Sequence, residues 1–160
     1  MTTYIPKEHL TVFLFEAKLN TYAARDDGAA VPSLLPGSKQ MEYRSGDLLY
    51  RDIHFGFLHF IGQETVYRGV APIWSMGYAG EILSPDMPRD EAWDIYGFLQ
   101  KALRHIQPDQ PYRGPAIYRG SDFIYTDQTH GNFSSFWGVE EIAHCGVLVY
   151  RLRYHGGTLR

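Results

Sequence analysis

Cysteine is nearly missing from this sequence: Cys145 is the only one in 160 residues. That excludes an internal disulfide and any zinc site built from several cysteines. Positive charge is in short supply too. Fifteen Lys+Arg against 18 Asp+Glu give a net charge of −3, whereas direct nucleic-acid binding needs a basic face. No apolar run approaches the ~18 residues that span a bilayer, so a membrane is not an expected partner. The opening Met1-Thr2-Thr3-Tyr4-Ile5-Pro6 holds neither a basic nor an apolar stretch, and a cytoplasmic location is expected. Seven histidines form no H-E-x-x-H and no pair at i, i+4, so neither a metal nor a cofactor is expected. Gly-x-Ser-x-Gly and the standard Gly-rich phosphate loops are missing as well. His144 and Cys145 adjoin, but neighbours on a strand point to opposite faces, which makes them a poor nucleophile–base dyad.

What the chain does have is aromatic mass. Twelve Tyr, 9 Phe and 3 Trp stand in a composition that is 44% hydrophobic and 21% charged, which describes one globular domain over residues 1–160. The chain also repeats itself. Tyr43-Arg44-Ser45-Gly46-Asp47-Leu48-Leu49-Tyr50-Arg51-Asp52 lies over Tyr118-Arg119-Gly120-Ser121-Asp122-Phe123-Ile124-Tyr125-Thr126-Asp127 without a gap, and half the positions are identical. After one inserted residue, Phe60-x-Gly62-x-Glu64 lies over Phe136-x-Gly138-x-Glu140, then Trp74 over Tyr150, Tyr78 over Tyr154 and Gly80 over Gly156. Gly, Asp and Glu match as well as the apolar positions do, so duplication is expected, with repeats of about 5–83 and 88–160.

Inside each repeat the period is two, the signature of strands. Leu48, Tyr50, Asp52 and His54 share one face; Arg151, Arg153 and His155 share a wet one. Hairpin turns are expected at Ser45-Gly46-Asp47, Arg68-Gly69, Gly120-Ser121-Asp122 and Cys145-Gly146. Two helices precede the two meanders. One covers 7–18 with a stripe of Leu10, Phe13, Leu14 and Ala17 behind Pro6. The other opens after Pro88, runs through Ala92, Tyr96, Leu99, Leu103 and Ile106, and stops before Pro108. Segments 20–40 and 108–116 read as loops. The fold class is therefore α+β: two helix-plus-four-strand antiparallel meander repeats packed as one duplicated domain.

Several of these residues also carry a resemblance. Ala17-Lys18-x-Asn20-Thr21-Tyr22-Ala23, Phe60-x-Gly62-x-Glu64-x-Val66, Pro72-x-Trp74-Ser75-Met76-x-Tyr78-x-Gly80, Pro111-Tyr112-Arg113-Gly114-Pro115 and Tyr154-His155-Gly156-Gly157 resemble a bacterial domain family of unknown function. Such domains occur alone or behind a helix-turn-helix of the Cro/repressor type. The resemblance implies the stand-alone form for this chain and no established activity. Gly77 stands where many relatives carry Asn, so no polar role is expected there.

Candidate ligand-binding residues follow from the duplicated motifs. Glu64 and Glu140 sit at equivalent places, and across one cleft two carboxylates could hold different pKa values and supply an acid and a base. A structural role inside each repeat is the simpler explanation, because a motif duplicated with its repeat is what a structural device looks like. Trp74, Tyr78, Tyr150 and Tyr154 form aromatic stripes that are core by default but can line a small-molecule site. Tyr112 and Arg113, in a Pro-bounded loop, could clamp an anionic group. Asp52 and Asp127 read as cross-strand hydrogen-bond partners. The leading expectation is a non-enzymatic small-molecule-binding or sensory domain with an aromatic cleft between the repeats. By architecture it looks like duplicated effector-binding domains of the gyrase-inhibitor-like group, in which a Glu among aromatics meets a cation. The alternatives are a hydrolase or lyase using the Glu64/Glu140 pair, and a protein-interaction module such as a toxin–antitoxin component. A homodimer or another protein partner fits any of these.

Overall fold

The computed structural model describes residues 5–24 and 28–160. Met1–Tyr4 of the N-terminal reading and residues 25–27 of the first loop lie outside them. Helix α1 (Lys7–Leu19) buries Leu10, Phe13, Leu14 and Ala17, the stripe that the 3.6-residue period places on one side. Helix α2 (Arg89–Leu103) starts behind Pro88 with Asp90 and Glu91 in its first turn, where the helix dipole favours acids. Its apolar stripe continues to Ile106, but the helix itself ends at Leu103. His105 and Ile106 donate to Ala102 and Leu103 in tighter turns.

Nine strands form one antiparallel sheet. They are β1 (Ala30–Val31), β2 (Lys39–Ser45), β3 (Leu48–Gly56), β4 (His59–Arg68), β5 (Ala71–Ile82), β6 (Ile117–Gly120), β7 (Phe123–Asn132), β8 (Ser135–His144) and β9 (Val147–Thr158). Their spatial order is β1-β2-β3-β4-β5-β9-β8-β7-β6, so two four-strand meanders, β2–β5 with β1 added at its edge and β6–β9, meet edge to edge at β5 and β9. The ladder there reads the same from either side: Tyr78 faces Tyr154, Trp74 faces Thr158 and Ile82 faces Tyr150. The expected hairpins close at the expected turns, with Gly46, Gly69, Ser121 and Cys145 all at positive φ. The 20–40 segment is not wholly loop, because the two-residue edge strand β1 pairs with β2 there. Two residues are too few to show a period of two.

One face of the sheet carries both helices. A single apolar cluster joins α1 and α2 to the inward residues Tyr50, Val66, Trp74 and Met76 of one meander and Tyr125, Ile142, Tyr150 and Leu152 of the other. The opposite face holds ion pairs of Arg51 with Glu42 and Arg151 with Glu141, both partly exposed. No helix among the described residues is long and apolar enough to cross a membrane.

Candidate functional site

The Phe-x-Gly-x-Glu motif has a steric cause. Residues 60, 62 and 64 are consecutive inward positions of β4, and Gly62 lies directly across from Tyr78 of β5. A Cβ on Gly62 would run into Cζ and Oη of Tyr78, so only glycine lets that ring cross the strand. The Tyr78 hydroxyl thereby reaches β3 and donates to Asp52 Oδ1 at 2.7 Å. In the other meander Gly138 lies across from Tyr154, a Cβ there would meet the Tyr154 hydroxyl, and Tyr154 donates to Asp127 Oδ1 at 2.9 Å. Burial pushes Asp52 up to about 7, helped by the Glu64 charge and opposed by the Tyr78 hydrogen bond. Burial likewise pushes Asp127 up to about 7, with Glu140 adding to it.

Each motif glutamate has its own cation. Glu140 is fully buried and takes a bidentate pair from Arg113, Nε to Oε2 at 3.0 Å and Nη2 to Oε1 at 2.7 Å. Tyr125 and Tyr150 donate to the same carboxylate at 2.7 and 2.8 Å. Burial works most strongly against the Arg113 charge, yet Glu140 together with Tyr150 and Tyr125 outweighs it and holds the guanidinium above its ordinary value. Glu64 is matched by Lys18 from α1, whose Nζ lies 2.7 Å from Oε2. That contact is an ion pair out of hydrogen-bond alignment, and Lys18 also donates to the Tyr112 carbonyl. Here burial wins over Glu64, and the ammonium is held below its usual range.

Above Asp52 and Tyr78 lies a cleft of about 530 Å³, within the size range of drug-sized ligand sites. Its floor is the inward face of β2, β3 and β5 at Met41, Asp52, His54 and Tyr78. Phe57 and Phe60 form one wall, Trp93, Tyr96, Leu99 and Gln100 of α2 another, and Tyr22 with Ala29, Ala30, Val31 and Ser33 a third. The walls brace one another: Phe57 lies 5.0 Å from Trp93 and 5.4 Å from Tyr96 between ring centres, and Tyr96 donates to the Phe57 carbonyl. Gln100 and Arg104 donate to the Tyr22 and Ala23 carbonyls, which ties the turn after α1 to α2. Arg113 borders the cleft as well, with its guanidinium carbon 6.0 Å from the centre of the Tyr78 ring. His54 Nδ1 is buried without a hydrogen-bond partner among the described residues. Burial, then Lys39, lowers the pKa of that imidazole.

Residues 52–159 match DUF5680, a domain of unknown function. The chain belongs to that family. No curated protein and no solved structure matches it. The DUF5680 match begins at Asp52 on the cleft floor and takes in both motif glutamates, while Lys18 and Tyr22 precede it.

Of the eight residues singled out by sequence in this DUF5680 chain, the structure brings Tyr78 and Arg113 to the cleft. Glu64, Tyr112 and Arg113 border a second cavity of about 20 Å³, roughly the room one water needs. Glu140, Trp74, Tyr150 and Tyr154 are buried and border neither. The seam itself is a hydrogen-bonded strand pair, which leaves no gap between the meanders within the sheet. The cleft stands instead over the first meander, roofed by the second helix. Sequence reasoning missed Tyr22, His54, Phe57, Phe60, Trp93 and Tyr96 as lining. Asp52 was legible as a cross-strand partner, but its place on the cleft floor was not.

Proposed function

We propose that this chain is an internally duplicated, non-enzymatic small-molecule-binding domain whose ligand occupies the cleft over Asp52. The ligand is planar, with hydrogen-bond donors and acceptors along one edge. One observation carries this reading: a cleft of about 530 Å³ with aromatic walls converges on polar atoms that keep bonding capacity, namely the second Asp52 oxygen and His54 Nδ1. Aromatic walls favour a flat ring, and a few fixed polar groups orient its edge. With the Arg113 charge already met by Glu140, Lys39 balances the one lining carboxylate, Asp52, which supports an uncharged ligand over a cationic one. Duplication is supported by the matching Tyr–Gly–Asp crossings and by the ladder that is unchanged when β5 and β9 exchange places. Acid–base chemistry by Glu64 and Glu140 finds less support, because each is nearly without solvent access, ion-paired, and off the cleft.

The test is a thermal-shift screen of planar heteroaromatic compounds, neutral, acidic and basic, followed by tryptophan fluorescence. Trp93 at the rim is 51% exposed and should be quenched by an occupant. A hit should stabilise the chain saturably and lose that effect in Trp93→Ala and in Asp52→Asn. Hits that stabilise both variants as well as the wild type would place the ligand elsewhere and end this reading.

A further inference from the structure

The turns at the far ends of the two meanders share a backbone and differ in chemistry. In the first, Gly69 donates its N–H to the Asp47 carbonyl, and Arg68 Nε binds Asp47 Oδ2 at 2.6 Å. In the second, Cys145 donates its N–H to the Asp122 carbonyl at 2.9 Å, and His144 stands where Arg68 stands. The same scaffold thus holds Asp, Arg and Gly at one end, and Asp, His and Cys at the other. The carboxylate, imidazole and thiol donor atoms of Asp122, His144 and Cys145 all lie within 4.8 Å of one another. In a tetrahedral zinc site, donors about 2.0–2.3 Å from the metal stand roughly 3.3–3.8 Å apart, so small side-chain rotations close the gap. All three groups are exposed. The imidazole is braced, since its ring stacks on Phe123 at 4.2 Å and 12°. Cys145 sits at φ 49, the left-handed region that its counterpart Gly69 occupies at φ 59. A side chain there is a cost that glycine avoids.

We propose that Asp122, His144 and Cys145 form a surface site for a borderline divalent cation of the zinc type, with a fourth position open to water or an outside donor. One thiolate, one imidazole and one carboxylate make a mixed donor set that suits Zn²⁺ or Co²⁺ and suits Mg²⁺ or Ca²⁺ poorly. Sequence spacing could not reveal it, because Asp122 lies on a different hairpin from His144 and Cys145 and only β7–β8 pairing joins them.

Cobalt is the probe. The reduced full chain, titrated with Co²⁺ alone, should bind about one equivalent and show a thiolate-to-cobalt charge-transfer band that Zn²⁺ abolishes. Cys145→Gly, which copies Gly69 of the other turn, should fold at least as well and lose the band. His144→Ala and Asp122→Asn should each weaken binding by about tenfold or more. Asp52→Asn, on the cleft floor, should leave cobalt binding unchanged, so this site stands or falls apart from the ligand cleft. No saturable band in the wild type, or a band that survives Cys145→Gly or is indifferent to His144→Ala, would overturn the proposal.

Discussion

The two meanders set the same inward groups on the same strands, yet they finish their polar networks differently. In the second, Glu140 receives Arg113 twice and the hydroxyls of Tyr125 and Tyr150. In the first, Trp74 stands where Tyr150 stands, and its indole N–H finds no partner among the described residues. Glu64 Oε2 and His54 Nδ1 are the other two buried side-chain polar atoms without a hydrogen-bond partner there, and all three belong to β3–β5. Buried polar groups are normally satisfied, because leaving one unbonded costs about 1–3 kcal/mol. One meander therefore closes the network around its glutamate, while the other leaves these three buried atoms unbonded among the described residues, of which His54 Nδ1 borders the cleft. The lesson is that similar strands can complete their buried polar networks to different degrees.

The largest expected effect breaks the closed network. Arg113→Met leaves Glu140 buried with no cation and should cost about 3–5 kcal/mol in urea unfolding. Lys18→Met should cost less, since burial already disfavours the Lys18 charge and Glu64 is less completely bonded. If Lys18→Met proves the costlier change, the contrast between the networks is wrong. Next in size are the crossings. Gly62→Ala and Gly138→Ala force Tyr78 and Tyr154 off their strands and should each cost about 1–3 kcal/mol. Only Gly62→Ala should also impair ligand binding, as Tyr78 lines the cleft and Tyr154 does not.

The two aspartates offer a pH test. Both are raised from 3.8 to about 7 in the fold, so between those values the folded chain holds protons that the unfolded chain has released. Their contribution to stability is thus present at low pH and lost as pH rises toward 7, with a slope of at most about 1.4 kcal/mol per pH unit for each. Relative to wild type, Asp52→Asn and Asp127→Asn should each gain stability as pH climbs through that window. Urea midpoints that track the wild type in parallel would show that burial does not shift these groups. The smallest expected effect lies in the turns. Ser121 holds φ 51 where the first meander has Gly46, so Ser121→Gly should stabilise by up to about 1 kcal/mol. The reverse change, Gly46→Ser, should destabilise by a similar amount, read as a shift in thermal midpoint.

Much of the fold was legible because its signals are local. The stripe Leu10, Phe13, Leu14 and Ala17 marks α1, Pro88 with Asp90 and Glu91 opens α2, and Gly46 and Gly69 close hairpins. The two-residue β1 escaped because it is too short to show a period. The site was only half legible. Glu64 and Glu140 drew notice as repeated charges, but repetition does not distinguish a buried ion pair from a ligand contact.

Periodicity, turn residues and the doubled motif determined two helices, antiparallel meanders and an inward face bearing Tyr, Asp and Glu. Those are properties of neighbours along the chain, and side-chain spacing encodes them directly. The assignment of Lys18 to Glu64 and of Arg113 to Glu140, by contrast, joins positions far apart in sequence. So does the placing of Trp93 and Tyr96 above Asp52. Those pairings depend on where β5 meets β9 and on how α2 crosses the sheet. They are set by how whole elements pack, which no local window of residues contains.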